Sequence, residues 1–278
     1  MGGILHITRS ATSSNYTRGT ATIAGLSSFS YGANVASFGG YYAGAIQWPD
    51  GSVYDLVIPP KNTWPTDPAF SQTTFPGLTK WSNTSTALNC TDEQVRLFSY
   101  DGKAATNAWA TAGFIGATDI QNKTINGFND WYVPSVTELY EIYRNLKPTA
   151  NLNSTANIVG RHSSYAAAYT GIYQDGVQPR AVGNITFVGT STNPAQTTAI
   201  DFIYPTGSEA LVWSGPSGEI WASTPSKDLQ SDSTDNQFNT WSLTTIQVSA
   251  GFISPGAWNS DAKTNLNFRV PVRRILRT

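Results

Sequence analysis

The stretch GFNDWYVPSVTELYEIYRNLKP, residues 127–148, contains the clearest structural signal in this sequence. Ser135 and Glu138 form the S-x-x-E pattern of a capping box, in which two side chains satisfy free backbone N–H groups at a helix start. Four apolar side chains then recur at helical spacing: Leu139, Ile142, Tyr143 and Leu146. Because proline cannot continue a helix, Pro148 ends the pattern. We predict an amphipathic helix here.

On the amino-terminal side, residues 39–61 read GGYYAGAIQWPDGSVYDLVIPPK. Two runs rich in aromatic and β-branched residues flank Pro49-Asp50-Gly51, a sequence typical of tight turns, so this segment is a predicted β-hairpin. Alternation along the second run sends two sets of side chains to opposite faces. One set is Val53, Asp55 and Val57, and the other is Tyr54, Leu56 and Ile58.

Weaker patterns complete the expected elements. Short helices are predicted from Asp101 to about Ala112 and from Pro194 to Ile203. Strands are predicted in EIWAST, NTWSLTTIQVSAGFI and LNFRVPVRRIL, which begin at residues 219, 239 and 266. In the last strand Leu266, Phe268, Val270 and Val272 alternate as a buried face, and Pro271 requires a free or bulged edge. Segregated helices and antiparallel strands indicate an α+β fold.

The first 38 residues differ in composition from the rest of the chain. Residues 1–38 are rich in Ser, Thr, Gly and Ala, with too few large apolar side chains for a core of their own. We interpret them as an amino-terminal arm for attachment or oligomerisation, preceding a domain at 39–278. The alternative is that they add a few strands to that domain.

Composition excludes several classes of protein. Only 13% of the residues are charged, about half the usual fraction, while Thr, Ser and Asn number 34, 28 and 20. A formal net charge of −1 gives no general attraction to phosphate, so we expect no nucleic-acid partner. No run approaches 18 apolar residues, and residues 1–15 lack the apolar core of a secretory signal. We therefore expect neither membrane insertion nor Sec-type export.

The sequence also argues against an enzyme. Cys90 is the single cysteine, so neither an intrachain disulfide nor a Cys-based zinc site can form. His6 and His162 are the only histidines, which leaves few candidates for Ser-His-Asp chemistry. No GxxxxGK[ST], GxGxxG, GxSxG or HExxH pattern occurs. We expect no catalytic residues.

One family resemblance covers most of the chain. In order from residue 39 to residue 275 come GGYYAGAI, YDLVIPPK, the stretch at 127–148, NPAQTTAIDFI, GSEAL, IWAST, NTWSLTTIQVSAGFI and KTNLNFRVPVRRI. This series resembles the carboxy-terminal domain of Lcl-type collagen-like bacterial adhesins, and above all its relatives in phage tail fibres. The collagen-like stalk of the adhesins is absent, and IWAST and VPVRR stand where family members often read YWSST and VRAVRR.

The resemblance implies a C-type-lectin-like α+β fold that is commonly trimeric and binds surfaces. The corresponding hypothesis is a phage receptor-binding protein located in the virion. Its arm would dock on other tail or capsid proteins, and its loops would bind a host polysaccharide or glycoprotein. The alternative is a structural virion protein, a capsid decoration or a tail or baseplate component, that uses the fold for assembly. A cell-surface adhesin and a hydrolase are weaker alternatives.

Aromatic residues outside the matched motifs are the candidate ligand contacts. Because loops on a rigid scaffold carry binding, we single out Tyr165, Tyr169, Tyr173, Trp213 and Trp258 as rings that could stack on sugars. The alternative is that they pack on the domain or on a neighbouring subunit. By contrast, we assign Trp131, Trp221, Trp241 and Leu139, inside the motifs, to the core.

Charged groups give two further candidates. Arg273, Arg274 and Arg277 could contact an anionic sugar or phosphate; alternatively they flank a buried strand, with Arg269, and pair with carboxylates. Calcium is used by many lectins of this fold, and an acidic loop contains Asp228, Asp232 and Asp235. No EPN, QPD or WND triplet occurs, so we interpret the loop as solvated and expect no metal or cofactor.

Overall fold

The computed structural model describes the chain in segments: residues 26–48, 50–66, 77–81, 90, 94, 97–98, 100–150, 180–181, 195–211, 219–225, 239–244, 257–262 and 267–277. These residues form helices and mostly antiparallel strands, which confirms the α+β class. The helices are α1 Gly102–Thr111, α2 Ile115–Gln121 and α3 Val136–Leu146. Short 3-10 turns lie at Leu26–Ser28, Ala36–Phe38, Lys61–Thr63 and Ile200–Phe202.

Two sheets contain the described strands. The strands are β1 Asn34–Val35, β2 Gly40–Gln47, β3 Val53–Ile58, β4 Leu78–Thr79, β5 Arg180–Ala181, β6 Glu219–Pro225, β7 Asn239–Thr244, β8 Ala257–Ala262, β9 Asn267–Phe268 and β10 Arg273–Leu276. The first sheet has the order β1-β2-β3-β10, with β5 also paired to β2, and the second has the order β4-β9-β6-β7-β8. Pairing is antiparallel except between β6 and β9. No helix among the described residues is long and apolar enough to cross a membrane.

The hairpin predicted around Pro49-Asp50-Gly51 is confirmed by β2 and β3. Gly51 has a φ of +85° and donates its N–H to the Trp48 carbonyl at 2.9 Å, so the turn uses the conformational freedom of glycine. A bulge interrupts β2 between Tyr42 and Gly44. The predicted alternation in β3 is also correct, because Leu56 and Val57 belong to the two different core clusters.

Helix α3 is confirmed together with its capping box. Ser135 accepts from the Glu138 N–H at 3.2 Å, and the Glu138 carboxylate accepts from the Ser135 N–H at 2.8 Å. The helix packs between β2 of the first sheet and β6 of the second, and nine of its 11 residues are buried. The core assignments of Trp131, Trp221 and Leu139 are confirmed, since each is at most 2% exposed. The side chain of Trp241 lies outside the described part.

Helix α1 is confirmed as well, and Asp101 caps it by accepting from the Ala104 N–H at 2.9 Å. The predicted helix from Pro194 to Ile203 is wrong for the part the structure describes, residues 195–203. Only a 3-10 turn at Ile200–Phe202 forms there, and it follows extended backbone at Ala199. The Thr197 N–H bonds to the Lys147 carbonyl at 2.9 Å, so tertiary hydrogen bonding takes the place of a helical ladder.

The last strand prediction is partly right. Phe268, Val270 and Val272 are fully buried, as the alternation indicates. The segment is nevertheless not one strand: β9 belongs to the second sheet and β10 to the first, and the chain crosses between the sheets at residues 269–272. The intervening side chains are therefore buried too, including that of Arg269 at 1% exposure.

Part of the predicted arm lies on the domain. Leu26 and Val35 are buried in the second core cluster, and β1 pairs with β2. The Gly32 N–H also bonds to the Tyr42 carbonyl at 2.7 Å. Residues 26–38 therefore add a turn and a short strand to the sheet, as in the alternative interpretation. Residues 1–25 lie outside the described part.

Candidate functional site

A cleft of about 540 Å³ opens at one end of α3, beside the first sheet. Its walls come from four separate parts of the chain: residues 27–31, the last turn of α3, residues 195–198, and Arg277 after β10. Tyr42 and Ala45 of β2 also line it. Clefts of this size, with a few convergent polar groups, are typical small-molecule sites.

The first wall is fixed by the backbone of residues 26–33. The buried Asp55 carboxylate accepts from the Leu26 N–H at 3.1 Å, and Leu26 itself is 1% exposed. Gly32 has a φ of +78°, and a Cβ there would lie 2.4 Å from the Ala199 side chain. This close approach holds residues 27–31 against the segment that carries the opposite wall.

The opposite wall, residues 195–198, is hydrogen-bonded to the residues that follow α3. The Gln196 side chain donates to the Pro148 carbonyl at 3.0 Å, and Thr197 bonds through its N–H to Lys147. Thr197 also turns the chain, because its hydroxyl accepts from the Ala199 N–H at 3.2 Å. The wall therefore presents amide and hydroxyl groups from a segment anchored to the helix end.

Two aromatic rings at the cleft are half exposed: Phe29 at 45% and Tyr31 at 43%. Tyr31 packs on the buried Tyr42, with ring centroids 5.6 Å apart and planes tilted by 35°. Burial, and secondly the charge of Glu141, raise the pKa of Tyr31, so its hydroxyl stays neutral at physiological pH. An exposed ring held on a buried one is a rigid apolar surface with a polar tip.

The charged side chains that line the cleft are Arg144 and Arg277. Each has a buried carboxylate partner behind it. Arg277 bonds to Asp55 through Nε and Nη2, and Arg144 lies 3.4 Å from Glu141. Burial raises the pKa of Glu141 to about 7, against hydrogen bonds from Asn145 and Arg144 that lower it.

The three arginines predicted to contact an anion do not lie at one site. Arg277 reaches the cleft, but Arg273 pairs with Asp130 at 2.5 Å and lies 3.7 Å from the centre of the Phe128 ring. Arg274 pairs with Asp101 at 2.7 Å. Arg269, 1% exposed, pairs with Asp119 at 2.7 Å. The pairing with carboxylates that the alternative interpretation expects is therefore found for all four arginines, and Arg273 and Arg274 do not line the cleft.

Most of the predicted aromatic platform lies outside the described part of the chain. Tyr165, Tyr169, Tyr173 and Trp213 lie outside the described residues, as do Asp228, Asp232 and Asp235 of the acidic loop. The backbone of Trp258 lies in β8, opposite Leu243, and its side chain is not described. Within the described segments, no group of three or more His, Cys, Asp or Glu side chains is placed to hold a metal ion.

Four of the residues at the cleft were not predicted from the sequence: Phe29, Tyr31, Arg144 and Asn145. The available signal was the pair of large aromatic residues in a segment otherwise rich in Ser, Gly and Ala. Such a ring either packs on the domain or faces a ligand. One side of the Tyr31 ring packs on Tyr42, and the exposed remainder can contact a ligand.

Comparisons of the chain with protein-family models, with curated proteins and with solved structures found no match. Function is therefore inferred from the chemistry of the cleft.

Proposed function

We propose that this chain is a receptor-binding protein of a phage virion, in which a C-type-lectin-like domain binds a host-surface glycan in the cleft. The observation that carries the proposal is the combination of half-exposed Phe29 and Tyr31 with a wall of hydroxyl, amide and guanidinium groups. This is the mixture of apolar and hydrogen-bonding surface that a sugar ring requires.

A pyranose has an apolar face of C–H groups and a rim of hydroxyls. The rings of Phe29 and Tyr31 offer an apolar surface for the face. Gln196, Thr198 and Asn145 line the walls, and their side-chain oxygens are the acceptors offered to the rim. Because the walls are anchored to β2 and α3, little ordering is needed on binding, which lowers its entropic cost.

Two further features support placement in a virion. The motif series from residue 39 to residue 275 resembles the tail-fibre relatives of the Lcl-type domain, and the low charge with abundant Ser, Thr and Asn suits an exposed surface that hydrogen-bonds polyols. In this proposal residues 1–25 contribute to docking on tail or capsid proteins, and the binding unit is a homotrimer. Neither calcium nor another cofactor is required for the cleft chemistry.

The test is binding of the purified chain to glycan arrays and to whole bacterial cells. The double variant with Phe29→Ala and Tyr31→Ala should bind at least about tenfold more weakly, because two ring contacts are lost. Ile115→Ala is the matched control: Ile115 is 51% exposed on α2 and does not line the cleft. It should bind as the unchanged chain does.

Two results would overturn the proposal. One is unchanged binding by the double variant, which would place the ligand elsewhere. The other is an absence of binding to arrays and cells by the intact protein. If the chain were then found in purified particles, the alternative of a structural virion protein would replace receptor binding.

A further inference from the structure

Glu141 lies directly behind the cleft and holds two of its wall residues. Its carboxylate accepts from the Asn145 side chain at 2.8 Å and lies 3.4 Å from Nη1 of Arg144. Asn145 is fixed a second time, because it donates to the Ala43 carbonyl at 3.0 Å. Arg144 and Asn145 line the cleft, whereas the Glu141 side chain is 2% exposed.

Close packing fixes the position of Glu141. Opposite it, β2 contains Gly44 at the bulge, with a φ of +131°. A Cβ on Gly44 would lie 2.3 Å from the Asn145 amide nitrogen and 3.0 Å from Glu141 Oε1. Only glycine therefore fits at this position of β2, and the Glu141 and Asn145 side chains pack directly against the strand backbone.

The two arginines at the cleft are held with unequal strength. Arg277 makes two contacts to Asp55, whose carboxylate also accepts from the Leu26 N–H. Arg144 makes one long contact to Glu141, and its side chain is 24% exposed. Because this single contact is long, whereas Arg277 is held by two contacts to Asp55, Arg144 is the cation that a ligand can recruit.

We propose that Arg144 leaves Glu141 to bind the carboxylate of an acidic sugar in the cleft, and that uptake of a proton by Glu141 favours this exchange. The inference rests on the proposed glycan-binding function and assigns its ligand class and its regulation. Arg144 is the binding residue, and Glu141 is a positioning residue that competes with the ligand for the same guanidinium group. Binding is then tighter in mildly acidic solution than in mildly alkaline solution.

The direction of this pH dependence follows from the groups around Glu141. Burial already raises its pKa to about 7, and departure of Arg144 removes one of the interactions that lower it. Binding therefore takes up a proton near neutral pH, and by linkage affinity rises as pH falls through that range. A sugar carboxylic acid, with a pKa below about 4, stays ionised throughout.

The other groups that face Glu141 keep their charge in this range. Tyr140 on α3 has its pKa raised to about 12 by burial, and burial also raises the pKa of Tyr31, across the cleft. The guanidinium groups at the cleft are those of Arg144 and Arg277. From β2, the neighbours are Gly44 and the Ala43 carbonyl. Between pH 6 and pH 8, the charge behind the cleft therefore changes at Glu141.

The test compares binding at pH 6 and pH 8 on an array that pairs each acidic oligosaccharide with its carboxyl-reduced, neutral counterpart. Acidic members should bind the intact chain at least about fivefold more tightly at pH 6 than at pH 8. Glu141→Gln mimics the protonated carboxyl at every pH, so this variant should bind equally at both pH values, with the affinity that the intact chain has at pH 6.

A second variant, Arg144→Gln, tests the same proposal in case Glu141→Gln does not fold. Arg144→Gln changes a partly exposed side chain and should remain folded, as checked by its thermal unfolding. It should bind acidic and reduced members alike, and Arg144→Lys should restore part of the preference for acidic ones.

The outcomes separate the two proposals. Binding to neutral members only, or binding that is independent of pH, overturns the acidic-sugar exchange and leaves glycan recognition standing. Retention of the full pH dependence by Glu141→Gln overturns the role of Glu141. An absence of binding to any array member and to whole cells overturns the proposed function itself.

Discussion

Replacement of Glu138 by alanine should be among the most destabilising single changes in the described core. The carboxylate is fully buried and joins three parts of the chain. Oε2 accepts from the Ser135 N–H at 2.8 Å and from the Gly102 N–H at 3.1 Å, at the starts of α3 and α1. Oε1 accepts from the Tyr132 hydroxyl at 2.7 Å.

The magnitude follows from what Glu138→Ala leaves behind. Three buried donors lose their acceptor, and each unsatisfied group costs about 1–3 kcal/mol. Against this, removal of the carboxylate recovers part of its own desolvation, the main cause of the raised pKa of Glu138. Removing one member of a buried charged network typically costs 3–5 kcal/mol, and we expect about 4 kcal/mol here. Since whole domains have about 5–15 kcal/mol, this is a large fraction.

Glu138→Gln is the matched control. Its amide oxygen can take the place of Oε2, while its NH₂ group donates to the Tyr132 hydroxyl, which can reverse its role and accept. The loss should therefore be about 1 kcal/mol. Urea unfolding followed by tryptophan fluorescence measures both variants, because several tryptophans are buried in the core. A loss below about 1 kcal/mol for Glu138→Ala, or equal losses for both variants, would refute the argument.

Two further predictions concern charge. Burial raises the pKa of Glu141 to about 7 and also raises that of Glu138, so the folded state binds more protons than the unfolded state above about pH 4.5. The free energy of unfolding should therefore fall as pH rises from 5 to 8, by about 3 kcal/mol from Glu141 alone. Unfolding midpoints that stay constant or rise over this range would contradict this prediction, and Glu141→Gln should reduce the fall. Asp119→Ala leaves the buried Arg269 guanidinium without its carboxylate and should cost about 3 kcal/mol in denaturant unfolding. Lys123→Ala, which removes only the exposed partner of Asp119, should cost less than about 0.5 kcal/mol, and similar losses in both variants would show that the buried pair contributes nothing.

The elements that local chemistry determines could be predicted from the sequence. The capping box of Ser135 and Glu138 is a four-residue pattern, and the hairpin follows from Pro49-Asp50-Gly51 between two β-forming runs. Both depend on neighbours in the chain, so the sequence contains their cause.

Where tertiary contacts decide, local patterns were insufficient. Residues 195–199 resemble the start of a helix, yet the Lys147 carbonyl accepts from the Thr197 N–H, and no helical ladder forms there. The alternating run at 266–272 marks buried residues correctly, but nothing in the alternation shows that the chain changes sheets there.

The residues of the cleft could not be predicted from local sequence patterns either. Tyr31, Arg144 and Gln196 lie far apart in the sequence, and no motif links them. They meet because Gly32 permits a close approach to Ala199 and because Lys147 and Pro148 anchor the opposite wall. A candidate list drawn from unmatched aromatic residues could not include the helix end that forms one wall of the site.

The crossing of residues 267–277 between the two sheets has a consequence for biosynthesis. These residues leave the ribosome after all the other described ones, yet β9 lies between β4 and β6, and β10 completes the first sheet beside β3. Their arginines also pair with Asp55, Asp101, Asp119 and Asp130, made much earlier. Until these residues have been synthesised, both sheets lack a strand and these four acidic side chains lack their arginine partners. Until then the nascent chain cannot complete either sheet, a period in which exposed strand edges favour aggregation, and chaperone supply would influence its yield.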